Sequence, residues 1–170
     1  MPSFLNISRA YKRWRHGRGF GVHSPFAFRF ITEVLNLPGY YTYYACAGIA
    51  DAKLRTLFRI AVSLRASKVA FIGCKSGDVR ATVLRAVPQA VLARVNEADF
   101  IVFDAAQTPK LEADAIPPSA NVVIFNYKRW KAMGVYAAGL PSGMIFRNAG
   151  DIAVVAALPH LPRQDFDVKF

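Results

Sequence analysis

The stretch Lys68-Val69-Ala70-Phe71-Ile72-Gly73-Cys74-Lys75-Ser76-Gly77-Asp78 decides the fold. Its first half is an apolar run suited to a strand buried on both faces. Its second half is a loop bracketed by two glycines, followed by a helix that Asp78 opens. A carboxylate there satisfies the helix's free N–H groups and complements its positive end. The next clear strand, Phe100-Ile101-Val102-Phe103, ends at Asp104. A doubly wound nucleotide-binding half places one or two further strand–helix units between two such strands. Here there is room for one helix and a short link. The expectation is a cofactor-binding fold with part of its cofactor pocket removed.

Upstream of this core, residues 50–65 fit a helix whose buried stripe is Leu54, Leu57, Phe58, Ala61 and Leu64, with Lys53, Arg55, Arg59 and Arg65 mostly off it. Further back, His23-Ser24-Pro25 is a helix start, with Ser24 as cap and Pro25 in the first helical position. Phe26, Phe30, Ile31 and Val34 then share a face, and Leu37-Pro38-Gly39 ends the helix. Residues 4 to about 15 fit a short basic helix, broken by Gly17, Gly19 and Gly21. Tyr40-Tyr41-Thr42-Tyr43-Tyr44 is either an extended segment laid over the core or a stacking platform.

Downstream, residues 78–87 are helical and Pro88 stops them. Residues 91–95 are a weak strand or an irregular link. Residues 105–118 form a loop with Pro109, Pro117 and Pro118. Asn121-Val122-Val123-Ile124-Phe125 is a strand, and residues 127–138 a helix with Trp130, Met133 and Ala137 facing inward. Residues 143–147 and 152–156 are strands joined by Asn148-Ala149-Gly150-Asp151, and residues 166–170 a final short strand. The pattern predicts an α/β three-layer fold, a mostly parallel sheet with antiparallel strands at the C-terminal end and helices on both faces. Residues 1–39 are expected to be a basic helical segment packed on a shortened Rossmann-like unit of residues 40–170, the whole forming one compact domain.

The chain has 170 residues and 54% hydrophobic content, enough for one sizeable core and too apolar for disorder. No apolar run reaches the roughly 18 residues that span a bilayer. Arg9, Lys12, Arg13 and Arg15 are not followed by the apolar stretch of a signal peptide, so a cytoplasmic location is expected. Cys46 and Cys74 fit no metal spacing and no disulfide framework, and are expected to be free thiols.

The formal net charge is +11. Such a balance favours nucleic acid or another polyanion. The charge is uneven, because no Asp or Glu occurs before Glu33 while Arg9, Lys12, Arg13, Arg15, Arg18 and Arg29 do. Tyr11, Trp14 and Phe20 interleave with these cations. That suits base stacking, and it equally suits a helix packing on its own domain with a solvated basic face.

Three blocks together resemble one family. Gly21-Val22-His23-Ser24-Pro25-Phe26, with Phe28 and Ile31-Thr32-Glu33-Val34-Leu35, is similar to the N-terminal signature of a bacterial group of class I S-adenosylmethionine-dependent methyltransferases. Leu57 through Gly77 resembles that group's first Rossmann strand and glycine loop. Asn121 through Met133, with Trp130, resembles its fifth strand and the following helix. The ending Arg163-Gln164-Asp165-Phe166-Asp167-Val168-Lys169-Phe170 is also similar. The resemblance implies a Rossmann-like methyltransferase fold and a cofactor loop at Gly73, Lys75 and Gly77, with Asp104 at the end of the fourth strand of that family.

The departures bear on chemistry. Two positions before the first loop glycine the family carries an acid that binds the methionine part of the cofactor, and here that position is Phe71. The family's second strand ends in an acid that holds the ribose hydroxyls. Between Pro88 and Asp99 only Glu97 is acidic, outside any strand–acid–helix pattern. Where the family has paired aspartates and a histidine, this chain has Asn126-Tyr127-Lys128-Arg129-Trp130. A buried hydrogen bond to a charged group contributes about 1.5–3 kcal/mol, so losing two such anchors weakens a nucleoside by several orders of magnitude.

The resemblance therefore implies a degenerate relative that has no cofactor and acts through binding or oligomerisation. Strand removal beside residues 69–72 would leave a sheet edge open to a second copy or a partner strand. Two alternatives stand beside it: an active S-adenosylmethionine-dependent methyltransferase, and a basic nucleic-acid-binding protein contacting phosphates through Arg9, Lys12, Arg13, Arg15, Lys128 and Arg129. At the former cofactor loop, two outcomes are open. Phe71 packs into a closed pocket, or Lys75, Lys128 and Arg129 converge near Asp104 around an anion. His23 either orders its turn or serves as a general base. No metal site is expected, because His16 and His160 lack partners at ligand spacing.

Overall fold

The computed structural model describes residues 4–19, 21–37, 44, 48–148 and 151–170, residues 4–10 by backbone alone. Its centre is a seven-stranded sheet. The strands are β1 (Lys68–Ile72), β2 (Val91–Leu92), β3 (Phe100–Asp104), β4 (Asn121–Phe125), β5 (Met144–Arg147), β6 (Ile152–Ala156) and β7 (Gln164–Asp167). They lie in the order β2-β1-β3-β4-β6-β5-β7. The pairings β1–β2, β1–β3, β3–β4 and β5–β7 are parallel, and β6 runs antiparallel to both of its neighbours, β4 and β5. Register is set by burial on both faces, since a slip of one residue would exchange the two sets of side chains.

Alternation along the strands divides the core in two. On one face Val69, Phe100, Val102, Val123, Phe146 and Val154 meet α2 (Pro25–Arg29) and the wider π-helical turns Phe30–Leu35 that continue it, together with α3 (Ala52–Ser63) and α4 (Gly77–Ala86). On the other face Ala70, Ile101, Phe103, Val122, Ile124 and Val155 meet α5 (Met133–Gly139) and the connection from β3 to β4. The protein is thus an α/β three-layer fold, as the alternation of elements predicts.

The helix starts are chemical. Ser24 Oγ accepts from the Ala27 N–H at 3.3 Å, with Pro25 in the first turn. Asp51 caps α3 by accepting from Lys53 and Leu54. Ser76 caps α4 by accepting from the Asp78 N–H. The N-terminal helix α1 (Phe4–Gly17) lies against β7 and the π-helical turns, and Asn36 Nδ2 donates to the Gly17 carbonyl at 2.9 Å.

Four expectations need correction or restriction. The helix placed at 127–138 is a single 3-10 turn, Tyr127–Arg129, followed by α5. Trp130 breaks it: its backbone is extended, and its indole Nε1 donates to the Leu111 carbonyl at 2.7 Å, which ties the proline loop to the core. The ambiguous segment at 91–95 contributes only a two-residue strand. The final strand begins at Gln164 and ends at Asp167, earlier than residues 166–170. The tyrosine run lies outside the described residues except for Tyr44, which is buried and sits edge-on to Phe58. Among the described residues, no helix is long and apolar enough to cross a membrane.

Candidate functional site

The strand order reverses at β1. The chain leaves β1 for β2 on one side, then crosses to β3 on the other. In open α/β sheets ligands bind at such a point, beyond the carboxyl ends of the strands. The glycine loop and the end of β3 meet there. Gly73 has φ +69, and a methyl group on it would come within 2.9 Å of the Asp104 carbonyl oxygen and 3.0 Å of Thr108 Oγ1. Only glycine suits that place, because the backbone is left-handed and the opposing atoms are close.

Asp104 ends β3 half-buried. Its Oδ1 accepts from the Ala106 N–H at 3.0 Å and from Asn126 Nδ2 at 2.9 Å. Asn126 reaches it from a left-handed backbone at φ 54, directly after β4. Cys74 Sγ sits between these strand ends, in contact with the carbonyls of Val102 and Ile72. Burial, and then the Asp104 carboxylate, push its thiol up from 9.0 to about 11. It is therefore a neutral thiol at physiological pH and a poor nucleophile. Cys46 lies outside the described residues.

A cleft of about 360 Å³ opens at this junction. Asp51, Asp78 and Asp104 line it, with Lys53, Lys75, Ser76 and Asn126. Three carboxylates against two ammonium groups give a formal charge of −1. Lys53 is moreover ion-paired to Asp151. The cleft is small for a ligand pocket, whose usual range is roughly 300–1,000 Å³. Its charge suits a hydrogen-bond donor or a cationic group more than a phosphate.

Neither outcome foreseen for this loop holds whole. The space is open, so the pocket is not closed. It is not the expected cation cluster either: Lys75 lines it, but Lys128 and Arg129 are exposed on the turn after β4 and do not. The left-handed turn at Asn126 carries them away. Phe71 is half-buried, packed against the core face that holds α3 and α4, with the Arg80 guanidinium 5.5 Å from its ring centroid. Gly77 begins α4 and is exposed. β2 ends at Leu92, followed by Ala93 and Arg94, and neither β2 nor these two residues line the cleft. Glu97 is exposed on a separate 3-10 turn.

Asp51, Lys53 and Asn126 were absent from the sequence-based site. Asp51 carries a legible signal, an acid immediately before a helix. So does Asn126, an asparagine directly after an apolar strand, where left-handed backbone is common.

The basic N-terminal residues separate. Arg9 lies on α1. Lys12 and Arg15 are exposed. Arg13 is half-buried, its Nε lies out of solvent without a hydrogen-bond partner, and its charge acts on the Tyr127 phenol. His23 and His160 are exposed and away from the cleft. Among the described residues, no three His, Cys, Asp or Glu gather in a way that could hold a metal ion. No family model matches the sequence, and no curated protein matches it.

Proposed function

We propose that this is a methyltransferase-like protein that has lost catalysis and acts by binding, including pairing with a second copy of itself. The observation that carries the reading is the two-residue β2. In a dinucleotide-type pocket the second strand supplies one wall and ends in the acid that holds the ribose. Here it stops after Leu92, continues into Ala93 and Arg94, and contributes nothing to the cleft. The neighbouring anchor on β1 is Phe71, already engaged by Arg80. The sheet order, the glycine loop and the cleft at the switch point support a Rossmann-like ancestry. What they frame can hold a small polar group and lacks the contacts a nucleoside requires.

Isothermal titration of the full chain with S-adenosylmethionine and with its demethylated product tests the loss of cofactor. The expected result is no binding tighter than roughly 100 μM, about −5.5 kcal/mol. Tighter binding of either compound overturns the reading in favour of an active enzyme.

The edges of the sheet favour self-association at β2. The opposite edge, β7, carries Asp165 and Asp167 and has α1 packed against it. Charge and cover of that kind discourage pairing. On β2, Val91 is 58% exposed and Leu92 64% exposed. Sedimentation at tens of micromolar, about the range where weak edge pairing is populated, should give a dimer. The double substitution Val91→Lys, Leu92→Lys should return it to monomer with its thermal midpoint little changed. A parent protein that sediments as a clean monomer rules out self-pairing.

A further inference from the structure

We infer that the exposed face of α1 and the groove beside it form a binding site for single-stranded nucleic acid, in which an unpaired base stacks on Trp14. Four observations meet there. Tyr11 and Trp14 are exposed, at 59% and 43%, and stack on each other with centroids 6.0 Å apart and planes at 21°. The Arg18 guanidinium lies 4.3 Å from the Trp14 centroid, and that of Arg15 lies 6.0 Å from Tyr11. Lys12 is exposed on the same helix. Beside them runs a groove of about 660 Å³, lined by Trp14, Arg18, Thr32, Asn36, Lys169 and Phe170 and, among the described residues, by no Asp or Glu side chain.

Each part has a role in such a site. Sequence-tolerant single-strand binders combine a positive groove that follows the backbone with aromatic faces that take successive bases. Arg18 already occupies the face of Trp14, as a planar cation does in a cation–π contact. A base is also planar and can take that place, leaving the guanidinium free to turn to the adjacent phosphate. Lys169, Lys12 and Arg15 supply further phosphate contacts. Thr32 and Asn36 offer polar groups to sugar and base edges, with Asn36 held in place by its bond to the Gly17 carbonyl.

A duplex buries its base faces and cannot use the ring stack. A membrane surface needs a helix with a broad free apolar face. Here the side of α1 opposite these residues is already taken up by β7, and both exposed rings carry guanidinium groups. The groove shares no lining residue with the switch-point cleft, and the inference is independent of the methyltransferase-like reading.

Fluorescence anisotropy of the full chain tests it, with a labelled oligothymidylate of about twelve nucleotides and a duplex of the same length, in about 50 to 200 mM salt. The single strand should bind more tightly than the duplex. If Lys12, Arg15, Arg18 and Lys169 neutralise three or four phosphates, the log–log salt slope should be about −2 to −3, at roughly 0.7 per phosphate. Trp14→Ala should weaken binding roughly tenfold to a hundredfold with the slope unchanged, and Trp14→Phe should restore most of it. Arg18→Ala should flatten the slope by about 0.7. Four results each overturn the inference: equal affinity for strand and duplex, a slope near zero, no effect of Trp14→Ala on binding, or binding to vesicles of phosphatidylcholine and phosphatidylserine without binding to the oligonucleotide. If Trp14→Ala disturbs the fold, Arg18→Ala and the strand–duplex comparison still decide.

Discussion

Phe146→Ala should destabilise the protein by about 3–5 kcal/mol, the range for truncating a fully buried aromatic. Phe146 has no exposed surface. Its ring lies 4.9 Å from Phe30 on the π-helical turns and 5.4 Å, nearly parallel, from Phe166 on β7. It thus joins the N-terminal helical segment, the sheet and the last strand in a single aromatic row. The cavity left by its removal is walled by elements already fixed by other contacts, so little collapse can fill it. A protein of this size loses roughly 2–4 °C of melting temperature per kcal/mol, which gives a drop of about 6–20 °C by calorimetry. A loss below about 1 kcal/mol would show that the N-terminal segment packs on the sheet far more loosely than these distances imply.

Gly143→Ala should cost at least about 3 kcal/mol, although it adds only one methyl group. Gly143 has φ +99, and a Cβ there would stand 2.3 Å from the Ala156 carbonyl oxygen and 3.1 Å from the Ala157 Cα. Those are backbone atoms of β6 and its exit, so they cannot swing aside. The same residue donates to the Leu161 carbonyl and accepts from the Gln164 N–H, which holds the start of β5 against the chain leading into β7. Strain and displacement therefore act together on three strands. Gly134, exposed at the start of α5 with open space around it, is the internal comparison. Gly134→Ala should be neutral or stabilise by up to about 1 kcal/mol, since alanine is the better helix former. Urea midpoints of the two variants should move in opposite directions. A Gly143→Ala protein as stable as the parent would show that the start of β5 can move away from the β6 backbone at little cost.

The strands were legible because burial on both faces demands nearly continuous apolar runs, and β1, β3, β4 and β6 have them. The helix starts were legible at Ser24-Pro25 because capping chemistry is local. The segment 127–138 was not, because its outcome depends on a contact far along the chain. Trp130 has helical spacing to Met133, yet its indole is claimed by the Leu111 carbonyl. The two-residue β2 lies below what periodicity can resolve. The same limits govern the site. Lys75 and Asp104 follow from the rule that ligands meet strand ends, and both line the cleft. Lys128 and Arg129 do not, because one left-handed residue, Asn126, redirects the chain that carries them. On α1, composition marks Lys12, Arg13 and Arg15 alike as cations. Only the packing of the helix distinguishes the buried Nε of Arg13 from its two exposed neighbours.

The contact between α1 and β7 has a consequence for biosynthesis. A methyl group on Gly17 would meet the Lys169 carbonyl oxygen at 2.9 Å, so the end of the first helix seats against the chain that follows the last strand. A ribosome makes the seat of α1 some 150 residues after the helix itself, at roughly 5–20 residues per second. For roughly 8–30 seconds a helix with aromatic and cationic side chains, and no acid of its own, is exposed beside ribosomal RNA. The sheet cannot shelter it in that interval, since β5 must be placed before β7 can pair. The chain in which β7 is not yet made is therefore the state in which this helix is most open to capture by another polyanion.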